Sequence, residues 1–332
     1  MAGAFPILVI VPDKVGDAVL WSGVIKRLYD EIPNARFTIA GDSKLDPLFR
    51  DMPRLDRFVR GRRGRKGLKL LPMWGQLRGR RWGLVVDGRG SSLPNFLSAK
   101  KRVVHQRVPT PEHIPHVVEE AARTLKLEDD PPAPYLFLSS ETEQRADEML
   151  GSGGPILALG PGGDWVGKMW PGERFNEVTA RLLGPDGPLE GGRLLIVGGE
   201  GDREAAQAVR AAIPRERVID LTGKGDLLTT YACLKKARLF IGNDTPLMHL
   251  AAAAGVPTLG LFGPSDERRR GPWGPDARAV RGPRAYEDFV AADPTLSQAL
   301  NHMLDLPVET VLNAAQTLIA DTLIADTETG RG

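Results

Sequence analysis

Short apolar runs alternate along this chain with longer stretches whose apolar residues recur at helical spacing. Residues 7–11 (Ile-Leu-Val-Ile-Val) are uninterrupted and apolar, which predicts a strand buried on both faces. Val19, Leu20, Val24, Ile25 and Leu28 then make one stripe, predicting a helix over residues 16–29. Strands are expected at 36–40, 84–87 and 101–105, and a helix at 113–127. Pro131, Pro132 and Pro134 break the alternation, a helix is expected at 141–150, and Gly151-Ser152-Gly153-Gly154-Pro155 has the composition of a hinge. A second alternating set follows, with strands at 156–159, 193–197, 218–221, 237–241 and 256–262. Helices at 171–183, 202–212 and 227–236 are expected between them, with another after Asn243, and 308–324 reads as an amphipathic helix. Strands separated by helices predict parallel sheets, hence an α/β protein. The organisation expected is two Rossmann-like domains, 1–150 and 151–310, with a terminal helix and tail, 311–332.

Composition narrows the picture. The 332 residues exceed one typical core, and the balance of 42% hydrophobic and 26% charged residues is that of a globular protein. No apolar run reaches the ~18 residues of a spanning helix. The first apolar run is short, lacks a basic flank and meets Pro12-Asp13 at once, so no signal peptide is expected. A single cysteine, Cys233, excludes an internal disulfide and a cysteine-built zinc site. No His/Asp/Glu cluster has metal-ligand spacing, and a cytoplasmic location is expected.

Net charge is only +2, but its distribution is skewed. Residues 54–81 hold eleven Lys/Arg and one acid, Asp56. Arg60, Arg62, Arg63, Arg65 and Lys66 form the densest part, which reads as a solvated loop and helix face able to attract polyanions. Phe58, Trp74 and Trp82 are few aromatics for base stacking, so an anionic lipid surface ranks above nucleic acid.

Four loops carry candidate chemistry. Residues 11–18 follow the first strand and open the first helix; Asp17 in that first turn is either a complement to the helix dipole or a carboxylate placed to accept a proton. Within residues 160–171, Gly162 to Met169 nearly matches a phosphate loop. Met169 replaces the metal-binding hydroxyl, however, and Trp170-Pro171 disfavours the required helix. What survives is a glycine-rich turn, with Gly162, Gly163 and Asp164, that brings amides and Lys168 toward a phosphate; Lys168 as a plain surface lysine is the alternative. Residues 197–204 place Gly198, Gly199, Glu200 and Asp202 after a strand. A carboxylate there could accept from ribose hydroxyls, Glu200 and Asp202 being indistinguishable, or simply cap a helix. Finally, Asp244, Thr245, Pro246 and Leu247 begin a helix at the end of a strand, an anion site suited to the diphosphate of a nucleotide sugar. His249, one turn in, is either a structural histidine beside that loop or part of it.

Together these loops resemble glycosyltransferase family 9, the ADP-heptose:lipopolysaccharide heptosyltransferases. The resemblance rests on Gly16-Asp17, Gly160-Pro161-Gly162, Lys168-Met169-Trp170-Pro171 with Phe175, and Gly198-Gly199-Glu200. It continues with Asn243-Asp244-Thr245, Met248-His249-Leu250-Ala251-Ala252-Ala253 and Leu261-Phe262-Gly263-Pro264-Ser265-Asp266. Two positions depart from the family pattern: Gly160 where histidine is usual and Pro246 where glycine is usual. The resemblance implies a GT-B fold, two Rossmann-like domains facing an interdomain cleft that closes about residues 151–155 to exclude water, with the terminal helix crossing back toward the first domain. It implies inverting transfer without metal or other cofactor, from a nucleotide sugar such as ADP-heptose to an anionic glycolipid of the lipopolysaccharide core. That acceptor would lie at the cytoplasmic face of the inner membrane, which the enzyme would touch peripherally. Asp17 would be the base, while Lys168, the Gly162-Gly163 amides and the helix start at Thr245 would stabilise the departing ADP. The alternatives are a relative using another nucleotide sugar for capsule or exopolysaccharide, and a nucleotide-binding protein without catalysis, against which the retained Asp17 and Lys168 argue.

Overall fold

The computed structural model describes residues 3–61, 71–106, 114–296 and 300–329. Arg62, Arg63, Arg65 and Lys66 lie outside the described residues, as does the start of the helix expected at 113. The chain divides into two compact units, 1–139 and 140–332.

The first unit is a parallel sheet of β1 (Phe5–Ile10), β2 (Ala35–Asp42), β3 (Leu55–Gly61), β4 (Trp82–Asp87) and β5 (Ala99–Val104), in the order β3-β2-β1-β4-β5. Ile7 to Ile10 of β1 are wholly buried, as central strands with both faces covered must be. On one face Leu8, Ile10, Val59, Met73, Leu77, Trp82 and Val85 pack as a single cluster. The edge strands carry charge instead: Asp56, Arg57 and Arg60 on β3, and Lys100, Lys101 and Arg102 on β5, are exposed. Charged side chains blunt a sheet edge against pairing with another chain. β3 was not among the expected strands, because its charges merge with the basic run around it.

Two helices differ from expectation. The stripe over 16–29 is divided into Val15–Leu20 and Ser22–Glu31, with Trp21 between them at φ −83°, ψ −12°. Ser22 Oγ donates back to the Val19 carbonyl at 2.6 Å, a side-chain bond that competes with the helical ladder. The helix expected at 113–127 spans Val117–Arg123, because His116 caps it: its ring nitrogen accepts from the Val118 amide, and its own amide donates to Glu119 at 2.8 Å.

The second unit is a parallel sheet of β6 (Ile156–Gly160), β7 (Arg193–Ile196), β8 (Val218–Asp220), β9 (Leu239–Asn243), β10 (Thr258–Phe262) and β11 (Ala277–Arg281), in the order β11-β10-β9-β6-β7-β8. The terminal helix Val308–Thr329 is part of this unit's core, where Val311, Leu312, Ala315, Leu318 and Ile319 pack with Leu239 and Ile241 of β9. The division between the units falls before the helix Ser140–Leu150, not at the glycine-rich stretch after it. Glu143 and Asp147 of that helix pair with Lys235 and Lys236 at 3.5 and 2.9 Å. Arg193 then donates to the carbonyls of Leu150, Gly151 and Gly154, so the stretch expected as a hinge is held inside the second unit.

Each sheet reverses its winding direction once, between β1 and β4 and between β6 and β9. There the loops leaving adjacent parallel strands turn to opposite faces and leave a crevice at the carboxyl edge, where α/β sheets bind ligands.

Candidate functional site

At the switch point of the second unit, Gly160 of β6 pairs with Gly242 of β9, so the loop after β6 and the turn after β9 start side by side. Asn243 joins them. It is fully buried; its amide nitrogen donates to the carbonyls of Pro161 and Gly162 at 2.8 and 3.0 Å, and its oxygen accepts from the Trp170 amide at 3.1 Å. One side chain thereby satisfies three buried backbone groups of the glycine-rich loop. From that loop a single 3₁₀ turn, Val166–Lys168, carries Lys168 toward β9. Lys168 Nζ lies 2.9 Å from Asp244 Oδ2.

The loop is also strapped from its other side. Asn301 donates to the Met169 carbonyl at 3.0 Å, the His302 amide to the Gly167 carbonyl at 3.3 Å, and the Trp170 indole to the Leu306 carbonyl at 3.0 Å. Asn243, Asn301 and Trp170 were not singled out as site residues. Asn243 and Trp170 stood only inside the motifs Asn243-Asp244-Thr245 and Lys168-Met169-Trp170-Pro171, and no signal pointed to Asn301.

Asp244 is 9% exposed. Burial, the largest influence, would push its carboxyl upward, but the charges of Lys168 and His249 and the bond from Lys168 outweigh it and hold the carboxyl below the ordinary aspartate value. His249 is 3% exposed and acts here as a buried neighbour of Asp244. Thr245 occupies the N-cap of the helix Pro246–Ala253 without a side-chain bond to it, and Pro246 is the first helical residue. Proline is at home there, because its fixed φ suits the helix and its missing N–H had no helical partner. Leu247 is half-buried in the same turn.

The glycines are set by close approach. A Cβ on Gly162 would stand 2.2 Å from Asp202 Oδ1, and one on Gly163 2.8 Å from Met169 Cγ. A Cβ on Gly160 would stand 2.8 Å from the Phe240 ring, so Phe240 fills the space that a side chain at this position would enter. Asp202 accepts from the Gly199 amide at 2.7 Å, a local cap. Glu200 is exposed and paired with Arg203 at 2.7 and 2.8 Å; the bonds from Arg203, then its charge, lower the Glu200 carboxyl. Asp164 is exposed on the glycine-rich loop. The structure thus separates the two acids that the sequence left equivalent: Asp202 is engaged by backbone, while Glu200 faces solvent.

At the switch point of the first unit, Asp17 is the third residue of the helix Val15–Leu20 and half-buried. Arg89, which follows β4, ties the two loops of that edge. Its Nε donates to the Val11 carbonyl at 2.9 Å, and its guanidinium pairs with Asp13 at 2.7 Å. Asp87, fully buried at the end of β4, accepts from the amides of Arg89 and Ser91 at 2.8 and 2.9 Å.

The basic segment is less free than its charge count suggests. Arg60 pairs with Asp46, Arg80 and Arg36 share Asp56, Arg57 donates to the Gln76 carbonyl, and Arg54 binds the carbonyls of Ile32 and Pro33. Among the described residues no helix is long and apolar enough to cross a membrane, and no group of three His, Cys, Asp or Glu side chains could hold a metal.

The sequence and the fold have counterparts in known proteins. Residues 76–297, about two thirds of the chain, match the family model of glycosyltransferase family 9 (heptosyltransferase). The chain is 24% identical to lipopolysaccharide heptosyltransferase 2 of Salmonella typhimurium strain LT2, over 95% of its own length and 99% of that protein's. Two solved structures share the fold. ADP-heptose lipopolysaccharide heptosyltransferase II of E. coli aligns with a TM-score of 0.75 at 22% identity, covering 96% of this chain and 99% of that one. A glycosyl transferase family 9 protein of Veillonella parvula aligns with a TM-score of 0.76 at 21% identity, covering 96% and 98%. With the motif order, two singly reversed parallel sheets of GT-B type and a family match over most of its length, the chain belongs to glycosyltransferase family 9 and is a glycosyltransferase.

Proposed function

We propose that this enzyme transfers a heptose from ADP-heptose to an anionic glycolipid acceptor of the lipopolysaccharide core, with inversion and without metal. The observation that carries the reading is the Lys168–Asp244 pair at the switch point, between the glycine-rich loop and the start of the helix Pro246–Ala253. An ammonium held there meets the diphosphate of the donor, and the amides at Gly162-Gly163 and the helix start add preorganised donors for the charge that grows on departing ADP. Pro246 withdraws one amide and Met248 donates its own to Thr245 at 3.1 Å, so Thr245 and Leu247 are the amides assigned to phosphate. Glu200, the exposed acid, is assigned to the ribose hydroxyls. The similarity to proteins named for ADP-heptose and lipopolysaccharide supports this donor and this acceptor class.

Asp17 is assigned the acceptor proton. As the acceptor oxygen attacks the anomeric carbon, its proton passes to the Asp17 carboxylate while the bond to the ADP oxygen breaks. Lys168 carries the positive charge that a metal supplies in other transferases. A cytoplasmic enzyme working on such an acceptor meets it at an anionic membrane surface.

The test is a panel of nucleotide sugars, read by thermal stabilisation and by release of the nucleoside diphosphate. ADP-heptose at about 100 times its Kd should add about 2.7 kcal/mol of stability; an equal shift with UDP- and GDP-sugars, or none with ADP-heptose, would contradict the donor. The panel also decides the reading in which Pro246 marks another nucleotide sugar.

A further inference from the structure

In the first unit, the helix Leu71–Leu77 and the turn Leu93–Phe96 place large apolar side chains in solvent. Phe96 is 68% exposed and Leu71 57%. They are not scattered. The Trp74 indole donates to the Phe96 carbonyl at 3.1 Å, joining the helix to the turn, and Leu71 stands three residues before Trp74 on the same helix face. Trp74 packs inward against the buried cluster of Met73, Leu77 and Trp82, so the protruding residues sit on a firm base.

The rim is cationic. The Arg78 guanidinium lies 4.7 Å over the Trp74 ring. Arg102 donates to the carbonyls of Pro94 and Leu97, which brackets Phe96, and Lys100 is exposed four residues past that turn. Between residues 71 and 106 the one acid is Asp87, fully buried with its oxygens engaged, so no exposed carboxylate of this segment repels an anion.

We infer that Leu71 and Phe96, seated on Trp74, form a wedge that enters the interfacial layer of an anionic lipid bilayer, with Arg78, Lys100 and Arg102 against the headgroups. Aromatic and aliphatic side chains ringed by basic ones match that layer, apolar below and negatively charged above. Unlike a purely electrostatic patch, this surface keeps part of its affinity at high salt, because burial of Phe96 and Leu71 is not screened. The inference rests on the proposed glycolipid acceptor only for its purpose; the contact itself stands on the side chains.

The experiment uses the full chain. Phe96→Cys is labelled with a polarity-sensitive fluorophore; Cys233 is buried, its thiol pushed up by burial to about 11, so the introduced thiol is the reactive one. Vesicles containing phosphatidylglycerol should shift the emission to the blue, and pure phosphatidylcholine vesicles should not. Leu71→Ser with Phe96→Ser should weaken partitioning onto phosphatidylglycerol vesicles by about tenfold or more, while transfer to a delipidated, water-soluble acceptor is unchanged. A label that keeps its aqueous emission on bound vesicles, or a double variant that binds like wild type, overturns the inference. So does preferential binding of oligonucleotides over vesicles at physiological salt. Label insertion without heptose transfer to any acceptor would instead remove the proposed function and leave the wedge standing.

Discussion

Lys168 Nζ and Asp244 Oδ2 lie 2.9 Å apart across 76 residues of sequence. The pair joins the loop after β6 to the turn after β9, and it makes each partner's burial tolerable. Asp244 below its ordinary pKa contributes stability that is full above the unfolded value near 3.8 and is lost as pH falls through the folded value. In Lys168→Met the lysine's charge and bond are lost while burial still pushes the carboxyl up against His249 and Ser265, so the carboxyl rises from its wild-type value and the stability it contributes near neutral pH shrinks. The variant should be about 2–4 kcal/mol less stable at pH 7, and closer to wild type at pH 4. Urea unfolding at both pH values checks this; an equal deficit at both would contradict it. ADP affinity and turnover should fall together, since the ammonium meets phosphate before and during transfer.

Asn243 should matter beyond its size. Asn243→Ala leaves two carbonyls and one amide without a partner in a buried site, a cost of about 1–3 kcal/mol for each group left unsatisfied. Unfolding should show the loss of stability, and calorimetric titration with ADP should show weakened binding, because the glycine-rich loop loses its tether. Unchanged ADP affinity in a folded variant would remove Asn243 from the site.

Gly160 and Pro246, the two departures from the family pattern, predict opposite stories. Gly160→His meets the Phe240 ring and should lower stability by about 1–3 kcal/mol through overpacking, with partial recovery when Phe240→Ala is added. Pro246→Gly frees an amide at the helix start but loosens the unfolded chain, so it should cost about 0.5–1 kcal/mol of stability while ADP binding is kept or improved. Melting curves and ADP titrations on the three variants separate these effects.

Asp17→Asn keeps shape and removes basicity. Turnover should drop by roughly 10²–10⁴ with ADP-heptose affinity nearly unchanged. Turnover within a few-fold of wild type would return Asp17 to a helix-dipole role.

Central strands were legible because burial on both faces writes itself as an apolar run: Ile7 to Val11, Leu157 to Leu159 and Leu239 to Ile241 are unmistakable. The edge strands β3 and β11 were not, because Leu55-Asp56-Arg57-Phe58 and Ala277-Arg278-Ala279-Val280 carry the charges that protect an edge and that also mark loops. A single stripe from Val19 to Leu28 concealed the break at Trp21, beside which the Ser22 hydroxyl bonds back to the Val19 carbonyl. Lys168 and Asp244 were each visible in a local motif, but their contact depends on β6 lying beside β9, a relation that no local pattern states. For the same reason Arg54, Arg57 and Arg80 looked like free surface charge until their partners, Ile32, Gln76 and Asp56, were brought near by the fold.

The central claim is heptose transfer from an ADP-sugar, and turnover tests it most directly. The full chain is incubated with ADP-heptose and lipid A–Kdo acceptors truncated before the first or the second heptose, and the acceptors are weighed by mass spectrometry. The account predicts the gain of one heptose on one of these acceptors, undiminished by EDTA and abolished or strongly reduced by Asp17→Asn. It is contradicted if neither acceptor gains mass while another nucleotide sugar is turned over, or if EDTA removes activity that Mg²⁺ or Mn²⁺ restores.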